Sequence, residues 1–243
     1  MKKYKVLGII PARGGSKSVP RKNLFPLCGK PLIEYTFDAA KKSKYLSRII
    51  LTTDDLTIAA FGNKCKIEVP FIRPKRLSRD NTPMLPVIRH AVNFLAQKER
   101  YIPDLIVILQ PTSPLRRSEH IDDAVKLLIK EKADSVVSVV EVPHQYNPIS
   151  VMKIRYGRLL PFLKGEGTRM LRKQDKPKVF ARNGAAVYAI RYNTLMKKNS
   201  LFGKSTLPLV MDINESIDID TKEDIEIAQM LMKMRYGKAK KNR

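Results

Sequence analysis

The 243-residue chain is short of cysteine, histidine, acid and long apolar runs, and each shortage removes a class of protein. Two cysteines, Cys28 and Cys65, cannot build a disulfide framework, so a reducing, cytoplasmic setting is expected. No run approaches the ~18 consecutive apolar residues of a membrane span, so no membrane partner is expected. The opening Met1-Lys2-Lys3-Tyr4-Lys5 leads into a strand-like segment and does not read as a leader peptide. His90, His120 and His144 lack the mutual or cysteine spacing of a zinc site. There is no Gly-x-Ser-x-Gly elbow for a covalent nucleophile, and no Gly-x4-Gly-Lys-Ser/Thr loop of the ATPase type. The scarcest commodity is negative charge: 23 Asp and Glu against 47 Lys and Arg leave a net +24.

That excess sits in three runs. Residues 1–33 hold eight Lys and Arg and no acid, residues 141–204 hold fourteen against three, and residues 233–243 hold six and none. Nucleic-acid binding is the obvious reading of such a balance, but a stacking surface needs aromatics among the cations. The first run offers only Tyr4 and Phe25. No specific nucleic-acid partner is therefore expected. The last run lacks apolar periodicity and reads as a frayed, dispensable tail.

Strand and helix signals alternate along the chain. Apolar runs at 6–10, 48–53, 69–72, 105–109 and 135–142 read as strands. Apolar residues at helical spacing follow Leu32 (Ile33, Phe37, Ala40), and recur at 58–61, 87–95, 121–129 and 223–234. This order predicts an α/β fold with a mostly parallel, Rossmann-like sheet and helices on both faces. Ligands of such sheets bind at the carboxyl ends of the strands. After Pro143 the rhythm breaks. A hairpin is expected at 151–162 around Tyr156-Gly157, and a peripheral strand at 179–190. The chain therefore divides into an α/β core, 1–142 with 205–243, and a small β-rich excursion, 143–204.

Chemistry concentrates at the strand ends. The first loop reads Pro11-Ala12-Arg13-Gly14-Gly15-Ser16-Lys17-Ser18-Val19-Pro20-Arg21-Lys22-Asn23. Its glycines let backbone amides approach a ligand, and its cations suit a polyphosphate. Asp218 and Asp220 are alternate residues of an extended stretch, so both carboxylates can share one face, and hard oxygen ligands suit Mg²⁺.

The first loop, with Gly29-Lys30-Pro31-Leu32, Thr53-Asp54-Asp55, Arg73-Pro74, the stretch Gln110-Pro111-Thr112-Ser113-Pro114-Leu115-Arg116, Asn183-Gly184-Ala185 and Ser216-Ile217-Asp218-Ile219-Asp220-Thr221, resembles the signature of the CMP–sialic acid synthetases, the acylneuraminate cytidylyltransferases. The resemblance covers nearly the whole chain. It implies an enzyme that joins CTP to an acidic nine-carbon 2-keto sugar and releases pyrophosphate. Arg13, Lys22, Asp218 and Asp220 are then the catalytic set, with Asp218 and Asp220 holding Mg²⁺ and either one able to take the attacking hydroxyl's proton. Ala12, Gly14, Ser16 and Asn23 surround the nucleotide, and Arg73 and Thr82 face cytosine and ribose. Gln110, Thr112, Ser113, Arg172, Asn183 and Phe202 form the sugar site. The resemblance also implies a homodimer through the excursion, with Phe202 reaching into the partner's site.

The chain departs from the family pattern in the sugar region: Arg182 directly precedes Asn183, Val187 stands where a Tyr often occurs, and Arg172-Lys173 replaces an Arg further on. These departures leave the acidic sugar open among N-acylneuraminate, legionaminate, pseudaminate and Kdo types. The Gln at 110 favours a nonulosonate over Kdo.

Overall fold

The computed structural model describes residues 4–16, 18–163 and 172–241. Val6–Pro11, buried at every position, forms β1. Short strands β2 (Pro26–Leu27) and β3 (Lys30–Pro31) lead into α1 (Leu32–Lys42), whose Ile33, Phe37 and Ala40 are fully buried as their spacing requires. Then come β4 (Arg48–Thr52), α2 (Leu56–Lys64), α3 (Met84–Glu99), β5 (Leu105–Ile108), α4 (Ser118–Lys130) and β6 (Ser135–Glu141). Asp55 caps α2 by accepting from the Ile58 N–H at 2.9 Å. The hairpin strands are β7 (Met152–Arg155) and β8 (Arg158–Pro161); β9 (Phe180–Arg182), β10 (Tyr188–Arg191), α5 (Tyr192–Met196), β11 (Thr206–Met211) and α6 (Lys222–Lys241) complete the chain.

The main sheet runs β11-β6-β10-β5-β1-β4, with β9 paired to β6 as its seventh strand. The β1/β4, β1/β5 and β6/β11 pairs are parallel; β10 is antiparallel to both neighbours, and β9 to β6. Five strands thus point one way and two oppose them. Pleating sorts the side chains: Val6, Ile10, Leu105 and Val107 pack toward α1 and α4, while Leu7, Ile9, Ile106 and Ile108 pack toward α3. Both faces are covered, which is why these strands read as continuous apolar runs.

Three expectations need correction. The 179–190 stretch is not one peripheral strand: it breaks at Asn183–Val187, and β10 lies in the sheet between β5 and β6. The signal was present, since Ala185 to Ile190 is a six-residue apolar run buried throughout, but the basic segment around it masked a central strand. The expected strand at 69–72 contributes only isolated bridges, Ile50 with Glu68 and Thr53 with Ile72. The last helix does not end near Met234 but continues through the basic tail to Lys241. The hairpin turn forms where expected, with Tyr156 at φ 52° and Gly157 at φ 70°, the left-handed pair of a tight two-residue turn. Among the described residues no helix is long and apolar enough to cross a membrane.

Candidate active site

The carboxyl ends of β1 and β5 open onto one cleft of about 210 Å³. The loop after β1 is fixed to its neighbour strand before it reaches that cleft. The Ala12 N–H donates to Thr52 O at 3.0 Å, the Asn23 side chain donates to Arg13 O at 2.8 Å, and the Gly14 N–H donates to Asp54 Oδ1 at 3.1 Å. Gly14 has no alternative here, because a Cβ would come within 2.6 Å of the Asp55 carboxylate. Arg13, Ser16, Lys22 and Asn23 then line the cleft, facing Arg73 and Thr82 on the 73–83 loop and Gln110 and Thr112 at the end of β5. Ala12 and Gly14 lie behind this wall and support it.

The cations come with counter-charges. Arg13 pairs with Asp80 at 2.7 Å, and Lys22 donates to Asp220 Oδ1 at 2.9 Å and to Ile219 O at 2.8 Å. Arg73 is buried, its Nη2 donating to Asp54 Oδ1 at 3.4 Å and its Nε to Ser78 Oγ at 3.1 Å. Burial lowers the Arg73 pKa from its ordinary value, and Asp54 works against that.

A second cavity, of about 520 Å³, adjoins the first and shares Gln110 and Met84 with it. Its far wall is Arg182, Tyr188 and Phe202, with the Phe202 ring 5.8 Å from the Tyr188 ring and 5.4 Å from the Arg182 guanidinium. Gln110 is fixed at the junction: its N–H donates to Ala185 O at 3.0 Å and its Oε1 accepts from the Ala185 N–H at 3.3 Å. Arg116 holds this junction from below, donating to Gln110 O and Ala186 O, both at 2.9 Å, and to the Thr36 hydroxyl. It is 3% exposed, and burial lowers its pKa to about 9.

Asp218 lies behind the two linings, against Gly184 of the second cavity and beside Thr112 of the first. Gly184, at φ 66°, lies so close that a Cβ would meet Asp218 Oδ2 at 2.4 Å, so the close approach and the backbone angle both require glycine. Asp218 Oδ1 is buried without a hydrogen-bond partner. Burial raises the Asp218 pKa, Thr112 and Lys22 oppose the shift, and Asp220 adds to it. Asp220 is exposed beside Lys22.

The sugar-site expectations divide. Gln110 and Phe202 line the second cavity, and Thr112 lines the first. Phe202, expected to reach into a partner's site, is held by Tyr188 and Arg182 against a cavity of its own chain. Ser113 is fully buried and lines neither cavity. Asn183 is 5% exposed and donates to Ser216 Oγ at 3.0 Å, a structural use of its amide. Arg172 pairs with Asp175 at 2.9 Å and lines neither cavity. The sequence reading gave no role to Asp54, Asp80, Arg116 or Gly184. Asp54 had a signal, an acid directly after an apolar strand; Asp80 had none.

Comparison with known proteins agrees with this geometry. The family profile described as "Cytidylyltransferase" matches residues 7–240. The chain is 32% identical over 234 residues to the N-acylneuraminate cytidylyltransferase of Escherichia coli, covering 92% of this chain and 51% of that longer protein. It is 30% identical over 235 residues to the pseudaminic acid cytidylyltransferase of Campylobacter jejuni, covering 97% and 99% of the two chains. In fold it resembles a CMP:2-keto-3-deoxy-manno-octonic acid synthetase solved with CTP, with a TM-score of 0.70 at 16% identity over 95% of this chain and 99% of the other. A glycine-bearing basic loop at the end of β1, carboxylates beside it and a profile spanning both therefore lead to one assignment: the chain is a nucleotidyltransferase belonging to the cytidylyltransferase family.

Proposed function

We propose that this enzyme couples CTP to an acidic nine-carbon 2-keto sugar, giving the CMP-sugar and pyrophosphate. The observation that carries the reading is the junction at Gln110, where a cleft bearing Arg13, Lys22 and Arg73 meets a second cavity bearing Arg182, with the Asp218 carboxylate close behind Gly184 of the second. The triphosphate lies along Arg13, Lys22 and the amides of the first loop. Lys22 and Arg13 then stabilise the charge that grows on departing pyrophosphate. The sugar occupies the second cavity, its carboxylate toward Arg182 and its anomeric hydroxyl toward the α-phosphorus. Holding both reactants aligned accounts for ~7–11 kcal/mol of the barrier reduction. An N-acylneuraminate is the sugar read here; legionaminate, pseudaminate and Kdo are the rivals that an acceptor panel separates. The two free thiols fit a cytoplasmic setting.

Asp218 and Asp220 fit Mg²⁺. Asp218 offers an unpartnered buried oxygen, Asp220 a second carboxylate two residues on, and both are hard ligands. Among the described residues no group of three or more His, Cys, Asp and Glu could hold a metal, so an ion on this pair would draw its remaining ligands from substrate phosphates and water. Bound there, Mg²⁺ neutralises phosphate charge and acidifies the attacking hydroxyl.

The enzyme is read as a homodimer. The β7–β8 hairpin turns Ile154 (77% exposed), Leu159 (67%) and Tyr156 (89%) to solvent, and a lone two-stranded hairpin is marginal in water. Light scattering is expected to give twice the 27.7 kDa chain mass. A fully active monomer excludes the dimer.

The substrate reading is tested by pyrophosphate release. CTP is expected to be used well above ATP or GTP, and a 2-keto acid sugar well above an uncharged hexose. Comparable rates with ATP, or with the hexose, reject the assignment.

Asp80 occupies Arg13 in the absence of a phosphate, so it competes with the nucleotide. Exposed pairs of this kind contribute up to ~1 kcal/mol, so Asp80→Asn is expected to tighten CTP binding by up to about fivefold in calorimetry. Unchanged or weaker binding shows that Asp80 does not compete.

Asp218 makes the opposite trade. Its raised pKa means the folded state disfavours the charged form, so the native state gains stability as pH falls from neutral through that pKa. Asp218→Asn removes the buried charge. The variant is expected to lose about 10²–10³ in rate while its melting temperature holds or rises. A melting temperature well below that of the unaltered enzyme, with activity loss in proportion, assigns Asp218 to structure instead.

A further inference from the structure

The segment from Ser216 to Asp220 lies between a short 3-10 turn (Ile213–Glu215) and α6, with no regular structure of its own. Its place is set by contacts to other elements. Ahead of Asp218, Ser216 Oγ accepts from Asn183 at 3.0 Å and donates to Asp212 O at 2.7 Å. Behind it, the Ile219 N–H donates to Thr112 O at 2.8 Å.

Glu215 makes the longest reach. Its Oε1 lies 2.8 Å from Arg117 Nε, and its Oε2 accepts from Arg117 Nη2 at 3.1 Å and lies 3.2 Å from His120 Nε2. Arg117 and His120 belong to the first turn of α4, immediately after the 110–116 stretch that floors both cavities. His120 Nδ1 accepts the Arg117 backbone N–H at 3.2 Å, which assigns the imidazole proton to Nε2, as donor to Glu215. One guanidinium hydrogen bond, with the guanidinium Nε and the imidazole at ion-pair distance, holds this carboxylate against the start of α4. Glu215 is 21% exposed and His120 10%, so this is not a loose surface pair.

We propose that Glu215 is a positioning residue: by bridging Arg117 and His120 it fixes the 216–220 segment against the 110–117 turn, and so sets where the Asp218 and Asp220 carboxylates stand. This rests on the reading of those aspartates as the metal-binding pair. Glu215 lines neither cavity. Its effect is exerted through the backbone three residues upstream of Asp218.

The test uses Glu215→Ala, Arg117→Ala and the double variant, with Glu215→Gln as the conservative replacement. Glu215→Ala is expected to lower kcat by about tenfold or more, and to raise the Mg²⁺ concentration for half-maximal rate by a similar factor. KM for CTP stays within about twofold, because the nucleotide contacts are untouched. The independent readout is amide hydrogen exchange at Ile219, measured without nucleotide or metal, which is expected to accelerate by the same order. The double variant is no worse than Glu215→Ala, since both remove one contact. Glu215→Gln keeps the His120 hydrogen bond and recovers part of the rate. A role in stability alone lowers the melting temperature and leaves Ile219 exchange in step with the sheet. That outcome, or a folded Glu215→Ala variant with unchanged kcat and unchanged Ile219 exchange, overturns the proposal. If the unaltered enzyme is fully active after chelation of divalent metal, the metal reading fails by itself, and Ile219 exchange with kcat decides the positioning role.

Discussion

Everything at this site depends on a buried arginine with neutral partners. Arg116 lies under the end of β5 and donates to two backbone carbonyls and one hydroxyl, from three separate parts of the chain. Gln110 O belongs to the floor of the first cleft, Ala186 O to the turn that enters β10, and Thr36 to α1. One guanidinium thus joins the nucleotide side, the second cavity and the helix beneath them. Burial brings its pKa only down to about 9, so the charge persists at neutral pH. A cation held below the strand ends, with no acid among its hydrogen-bond partners, adds an unscreened positive potential where anionic substrates bind. Lysine could supply the charge but not the fork that holds three acceptors at once.

The few acids near the cleft are placed against this background, and each does something different. Asp54 receives both the Gly14 amide and the Arg73 guanidinium, so it ties the first loop to the 73–83 loop. Asp80 and Asp220 sit on Arg13 and Lys22, where a triphosphate has to displace or rearrange them. Exposed pairs of this kind contribute little to stability and are released at little cost. A large positive balance therefore need not mean nucleic-acid binding: at the one place where charge is organised by strand ends and glycine, it is shaped for a small polyanion.

Much of this was legible in the sequence, and the part that was not has a physical reason. Loop 11–23 and the 110–116 stretch could be read because strand ends, glycines and cations combine there in short, contiguous chemistry. The alternation of Asp218 and Asp220 could be read too, and both carboxylates lie near Lys22. What the sequence concealed were side chains whose roles depend on depth. Ser113 and Asn183 sit inside motifs and were expected at the ligand, yet Ser113 is buried and lines neither cavity, and the Asn183 amide is committed to Ser216. Arg172 has the right charge, but it is spent on Asp175 away from both cavities. β10 was concealed by its neighbours: an antiparallel strand entering a parallel sheet from a basic, turn-rich segment carries no local sign that it will be central.

Asp218 is where local rules are broken most clearly. A carboxylate is buried with one oxygen unpartnered, beside a glycine held at positive φ so that no side chain intrudes. Neither feature helps the chain fold, since burying an unpaired charge opposes folding and a left-handed glycine gives up conformational freedom. Such conflicts persist where the surroundings over-determine them, and they collect at sites of function. Here the surroundings are identifiable: Asn183 on Ser216, Thr112 on Ile219, Lys22 on Ile219 and Asp220, and Glu215 on α4. Each contact is ordinary by itself. Together they fix the backbone on both sides of Asp218, and that keeps a costly carboxylate beside Gly184 and Thr112, one from the lining of each cavity.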